Sequence, residues 1–172
     1  MKKLLFVIFL CQFFSCGIVV DENIKEPEKA PKEFSTSSLK YFMNLNTMVY
    51  DNSISPNYIS RLDSTLNFSI GFRCDVKKLF EKEISKAVVS VKYYFQKPGK
   101  ASIVCLINKG DSIVFWQGIS FDQPVPLNKW ESKEVTFDLL RTYKDDEVLT
   151  VYVWSPDRDE LFVDDLYVKP LK

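Results

Sequence analysis

The feature that most constrains this chain is the alternation running from Leu66 to Val76. Leu66, Phe68, Ile70, Phe72, Cys74 and Val76 are apolar, and Asn67, Ser69, Gly71, Arg73 and Asp75 between them are polar or small. A period of two kept over this length describes a half-buried β-strand, because a helix would bring its apolar residues round every three to four positions. The spacing predicts that the apolar set, Phe68 included, faces a core. A strand with one apolar face needs a second layer to cover it, so the chain must build at least two packed layers.

The remaining strands follow from the same criterion. Leu39–Tyr50 is apolar and aromatic enough for a first strand, ended by the turn signals Asp51-Asn52-Ser53 and Ser55-Pro56-Asn57. Val89, Val91, Tyr93 and Phe95 alternate with Ser90, Lys92 and Tyr94 before Lys97-Pro98-Gly99-Lys100 turns the chain. Ala101–Ile107 is an almost continuous apolar run, and Asn108-Lys109-Gly110-Asp111 turns it into Ser112–Phe121. A proline-bearing loop from Asp122 to Asn128 leads to Trp130, and Val135, Phe137 and Leu139 alternate again. The chain closes with Leu149–Trp154 and Leu161–Val168, joined by the turn-like Ser155-Pro156-Asp157-Arg158-Asp159-Glu160. This closing pair reads as a hairpin that fills the middle of a β-sandwich. Helical spacing occurs only over Val76 to Ile84, too short for more than two turns. The expectation is an all-β, antiparallel β-sandwich, a jelly roll of about eight strands. An aromatic content of 15%, with 14 Phe, favours strands over helices in the same way.

The N-terminus has a different grammar. Met1-Lys2-Lys3 followed by the apolar Leu4–Leu10 has the layout of a secretory signal peptide, expected over residues 1–15. The segment Phe13-Phe14-Ser15-Cys16-Gly17 resembles the lipobox of bacterial lipoproteins, with Cys16 at the position whose thiol is acylated, although Phe13 and Phe14 depart from the usual pattern. That resemblance implies membrane lipid as a partner through acylated Cys16 and a place in the bacterial cell envelope, with the outer membrane expected. Several acyl chains hold a protein on a bilayer where one does so only marginally. The stretch from Leu4 to Val20 also reaches the minimum length of an uncleaved membrane helix. Residues 16–38 then read as the lipidated cysteine and a flexible tether. From Asp21 they are charged, polar and proline-bearing, without apolar periodicity. Residues 39–172 are the folded domain.

Composition excludes some functions. The 23 basic residues match the 23 acidic ones, and loss of a leader carrying Lys2 and Lys3 leaves a slight acidic excess, so nucleic acid is not expected as a partner. No histidine is present, which removes the commonest general base and metal ligand. Paired carboxylates could still catalyse glycoside hydrolysis, but no pair stands out, and no enzyme activity is expected. Cys74 and Cys105, the thiols of the domain, both fall on inward-facing strand positions. They read as two separate core cysteines or as a disulfide.

Trp130-Glu131-Ser132 with Val135–Leu139, then Leu149–Pro156, then Phe162-Val163-Asp164-Asp165-Leu166-Tyr167-Val168 resembles the C-terminal half of galactose-binding-like jelly rolls. Many carbohydrate-binding modules of secreted glycoside hydrolases share this order. The resemblance covers roughly residues 86 to 172 and implies a fold more firmly than a sugar. A glycan, or else an envelope protein, is the partner it suggests. Sugars stack their C–H faces on exposed rings, so the candidate ligand-binding residues are Tyr152 and Trp154, which share one face of their strand, together with Trp116. The same rings serve structure if a loop or the tether covers that face, and Trp116 and Trp130, each where a strand enters or leaves the sandwich, read as structural. The resemblance also implies a structural calcium ion between the last strand and the start of the domain, with Asp164, Asp165 and Asp51 as its carboxylates. Spacing puts Asp164 on the buried side with Leu166 and Val168. Hydrogen bonds to backbone or lysine are the other use of these acids.

Overall fold

A computed structural model describes residues 41–79, 83–142 and 144–171. The expected leader, Cys16 and the tether lie outside the described residues.

The strands are β1 (Phe42–Met43), β2 (Met48–Tyr50), β3 (Tyr58–Leu62), β4 (Gly71–Asp75), β5 (Glu83–Phe95), β6 (Ser102–Lys109), β7 (Ser112–Ser120), β8 (Trp130–Thr142), β9 (Glu147–Trp154) and β10 (Leu161–Leu171). One short helix, α1 (Val76–Leu79), follows β4, where helical spacing extends to Ile84; residues 80–82 lie outside the described set. The strands form two five-stranded antiparallel sheets, β1-β4-β9-β6-β7 and β2-β3-β10-β5-β8. The all-β sandwich expected from the sequence is thus observed, with ten strands among the described residues where about eight were expected. The first expected strand is split, because Asn44 adopts a left-handed conformation (φ 58°) and a 3-10 turn over Leu45–Thr47 carries the chain from one sheet to the other. The segment Tyr58–Leu62 adds β3.

The closing hairpin is not observed. β9 pairs with β4 and β6, whereas β10 pairs with β3 and β5, so Ser155–Glu160 is a crossing between layers. The side chain of Ser155 organises that crossing. Its hydroxyl accepts the N–H of Asp159 at 2.8 Å and donates to the carbonyl of Lys100 at 3.2 Å. Each of the two runs is nevertheless the middle strand of its sheet. Their inward residues, Leu149, Val151 and Val153 against Val163, Leu166 and Val168, form the centre of one continuous core. Phe95, Phe121 and Tyr93 close it, with the Tyr93 and Phe121 rings stacked at 4.3 Å. Burying each such ring contributes about 1.5–3 kcal/mol against the entropy of ordering the chain.

Cys74 and Cys105 are both buried free thiols. β9 lies between their strands, so two strand spacings, roughly 10 Å, separate them. A disulfide needs less than about 7 Å between Cα atoms.

Candidate functional site

The outer face of the first sheet can be read as a grid from the strand register. Arg73 of β4 stands beside Thr150 of β9, Thr150 beside Leu106 of β6, and Leu106 beside Trp116 of β7. In the next row Tyr152 stands beside Val104, and Val104 beside Gly118. In the row after that, Phe68 bridges to Trp154, Trp154 pairs with Ser102, and Ser102 with Ser120. Tyr152, Trp154 and Trp116, named as candidates from the sequence, are therefore brought onto one face.

Their contacts join them into one surface. The rings of Trp116 and Trp154 meet edge to face at 6.3 Å and 78°, and Tyr152 meets Phe68 in the same manner at 5.4 Å and 86°, an arrangement favoured by the ring quadrupoles. Burial pushes the Tyr152 pKa above its ordinary value, and the neighbouring Trp116 side chain opposes the shift. Trp116 is 50% exposed and Phe68 41% exposed, while Tyr152 and Trp154 are half-buried between them. Gly118 lets the Trp116 ring lie down along the sheet: a Cβ at position 118 would stand 3.2 Å from Trp116 Cη2. Below the rings, Val104 and Thr150 are buried.

Phe68 is the residue that sequence reasoning placed wrongly. The alternation from Leu66 to Val76 put it in the core with Phe72, but four steps separate Phe68 from Phe72 where only three separate their partners, Trp154 and Val151. The extra residue lies at Ser69–Ile70. There the Ser69 N–H donates to the Val153 carbonyl, and the Val153 N–H donates to the Ser69 hydroxyl at 2.9 Å. One inserted residue turns every side chain before it to the opposite face.

Trp130 has the structural place expected for it. Its indole N–H donates to the Ile54 carbonyl at 3.0 Å and its ring leans on Tyr94 at 5.6 Å.

The three aspartates expected around a calcium ion are not brought together. Among the described residues no group of three or more acidic or thiol side chains stands where it could hold a metal ion. Asp51 accepts hydrogen bonds from the hydroxyl and N–H of Ser53, which hold its carboxyl below its ordinary pKa. Asp165 takes an ion pair from Lys92 at 2.6 Å, and that bond holds Lys92 above the ordinary lysine value. The inward placement of Asp164 is also corrected. A bulge between Asp164 and Tyr167, with Asp165 at φ 48°, leaves Asp164 paired with Lys92 on the outer side while Leu166 turns into the core. Asp164 is largely covered there and accepts the Asp165 N–H at 2.8 Å.

No protein-family model matches this sequence, and no curated protein matches it either. Solved structures do match by fold. The CBM22-1–GH10 modules of the Clostridium thermocellum N-terminal endo-1,4-β-D-xylanase 10B, complexed with xylohexaose, superpose with a TM-score of 0.53 at 10% identity. The match covers 76% of this chain and 26% of that one. The fold is the jelly roll of carbohydrate-binding modules. The second family 16 carbohydrate-binding module matches at a TM-score of 0.46 and 11% identity, over 76% of this chain and 92% of that one. The CBM22-1 xylan-binding domain of Paenibacillus barcinonensis Xyn10C matches at 0.46 and 9%, over 73% and 80%. This chain thus spans about a quarter of the xylanase structure and most of the two isolated modules.

Proposed function

We propose that this protein is a lipid-anchored, non-catalytic glycan-binding module of the bacterial cell envelope, with Phe68, Tyr152, Trp154 and Trp116 as its stacking surface. The observation that carries this reading is the half-exposed Trp116 ring, laid along the sheet over Gly118 and packed edge to face against Trp154. A ring lying along a sheet offers its face to the C–H face of a pyranose, and its neighbours extend that surface without a large ordering cost. The absence of catalysis is supported by charge. Among the strand residues on this face, Asp75 is the one acid, and it is ion-paired with Lys78, so no pair of carboxylates flanks the rings as glycoside hydrolysis requires. The anchor rests on Cys16 and the lipobox-like residues before it.

Titration of the full chain in detergent against a panel of soluble plant and bacterial polysaccharides tests the site. Binding to at least one of them that falls about 30-fold in Trp116→Ala is expected, and affinity unchanged by the substitution removes the platform reading. Mass analysis of membrane-extracted protein tests the anchor, with an acylated Cys16 as the expected product and an unmodified one against it. A protein-binding role for the same sandwich has one observation in its favour. Ile113 and Val114, at the open end of edge strand β7, are 63% and 38% exposed. Ile113→Lys abolishing a cross-link to an envelope protein would favour that second reading.

A further inference from the structure

Charge on the two sheets is distributed unevenly, and one residue stands out. On the strands, Arg61, Lys86, Lys92, Lys109 and Lys133 each reach an acidic side chain. Arg73 is exposed and has no ion pair or hydrogen-bonding partner among the described residues. It stands on the aromatic face, in the row that ends at Trp116, beside Thr150 and diagonal to Tyr152. Diagonal neighbours in an antiparallel pair are about 7–8 Å apart, and three strand spacings put Trp116 roughly 14 Å away. An arginine side chain reaches over the first distance easily, and the second matches the footprint of a short oligosaccharide rather than a single ring. The nearest acid on this face, Asp75, is held by Lys78 and leaves the guanidinium free.

We infer that this site takes acidic glycans, with Arg73 pairing with the carboxylate of a uronic acid residue whose neighbours stack on Tyr152, Trp154 and Trp116. The inference rests on the glycan-binding reading above and narrows it to a chemical class. A guanidinium presents two parallel N–H donors to a carboxylate, a geometry that neither lysine nor a neutral donor reproduces. A neutral glycan would leave that arginine without a counterpart.

The test compares polygalacturonate, the same polymer after reduction of its carboxyl groups, and dextran sulfate, each titrated into the full chain in detergent at low and moderate salt. The wild-type chain is expected to prefer polygalacturonate over its carboxyl-reduced form by about tenfold or more, a preference that salt weakens. Arg73→Gln should erase the preference, and Arg73→Lys should restore only part of it. Trp116→Ala should weaken both polymers together, which separates loss of the platform from loss of the charge contact. Equal binding of the two polymers by the wild type overturns the assignment of Arg73 while leaving glycan binding standing. A preference unchanged in Arg73→Gln overturns it as well. Tighter binding of dextran sulfate than of polygalacturonate overturns the carboxylate as the recognised group. If none of the three polymers binds, this inference falls, and the wider polysaccharide panel decides whether the platform reading falls with it.

Discussion

Both sheets carry an aromatic group on their outer faces, and the two groups are treated in opposite ways. On the second sheet Tyr94, Trp130 and Phe162 lean on one another, but the loop carrying Ile54 takes the Trp130 N–H and Phe162 is 3% exposed. Around them, Arg61–Glu160, Lys92–Asp165 and Lys133–Asp122 tie strands and loops together. On the first sheet Trp116 and Phe68 stay open, and the nearby Arg73 has no ion pair among the described residues. The comparison teaches that the presence of outward aromatics says little about binding. What distinguishes a platform from a plug is whether a loop supplies the hydrogen-bond partner and the cover.

The sharpest way to break this comparison is to remove one tryptophan from each face. Trp130→Ala should lower unfolding free energy by about 3 kcal/mol in a denaturant titration, through lost packing and an orphaned Ile54 carbonyl, with glycan affinity retained. Trp116→Ala should do the reverse. Its stability should change by no more than about 0.5 kcal/mol, while glycan affinity falls about 30-fold, or ~2 kcal/mol. Equal losses of stability in the two variants would mean that the faces are not different in kind.

A second test asks whether the open face lets water into the core beneath it. Cys105 lies directly under that sheet, and burial pushes its pKa from the ordinary 9.0 up to about 12. The unfolded thiol ionises first, so the Cys105 contribution to stability should be constant below pH 9 and fall between that value and about 12. Its share of the slope should be ~1.4 kcal/mol per pH unit in denaturant titrations, and Cys105→Ala should lower the slope by that share. Smaller still is Gly118→Ala, whose methyl would press on the Trp116 ring. Glycan affinity should fall roughly fivefold, about 1 kcal/mol, with the melting temperature nearly unchanged. The smallest effect expected is a gain. The Asn108 side-chain oxygen on the open face is buried without a hydrogen-bond partner. Asn108→Val should therefore raise thermal stability by a few tenths of a kcal/mol or more.

Much of the fold could be read from local pattern. Period-two alternation located β4, β5, β8, β9 and β10, and the turn around Gly110 located the β6–β7 pair. What escaped were features with no local signal. Nothing between Leu149 and Val168 distinguishes a turn within one sheet from a crossing between two, because polar, proline-bearing segments serve both. Both bulges were missed for the same reason: an extra residue at Ser69–Ile70 or at Asp165 is seen only when the partner strand supplies the count.

The candidate site follows the same division. By itself the sequence determined that Tyr152 and Trp154 share a face opposite Leu149, Val151 and Val153, since alternation along one strand is a local property. Only the tertiary structure decided that Phe68 and Trp116 join them, that Arg73 stands in the same row, and that Trp130 is capped by a distant loop. These are relations between strands far apart in the chain. They depend on register and on which layer each strand enters, and those are set by packing the whole core at once.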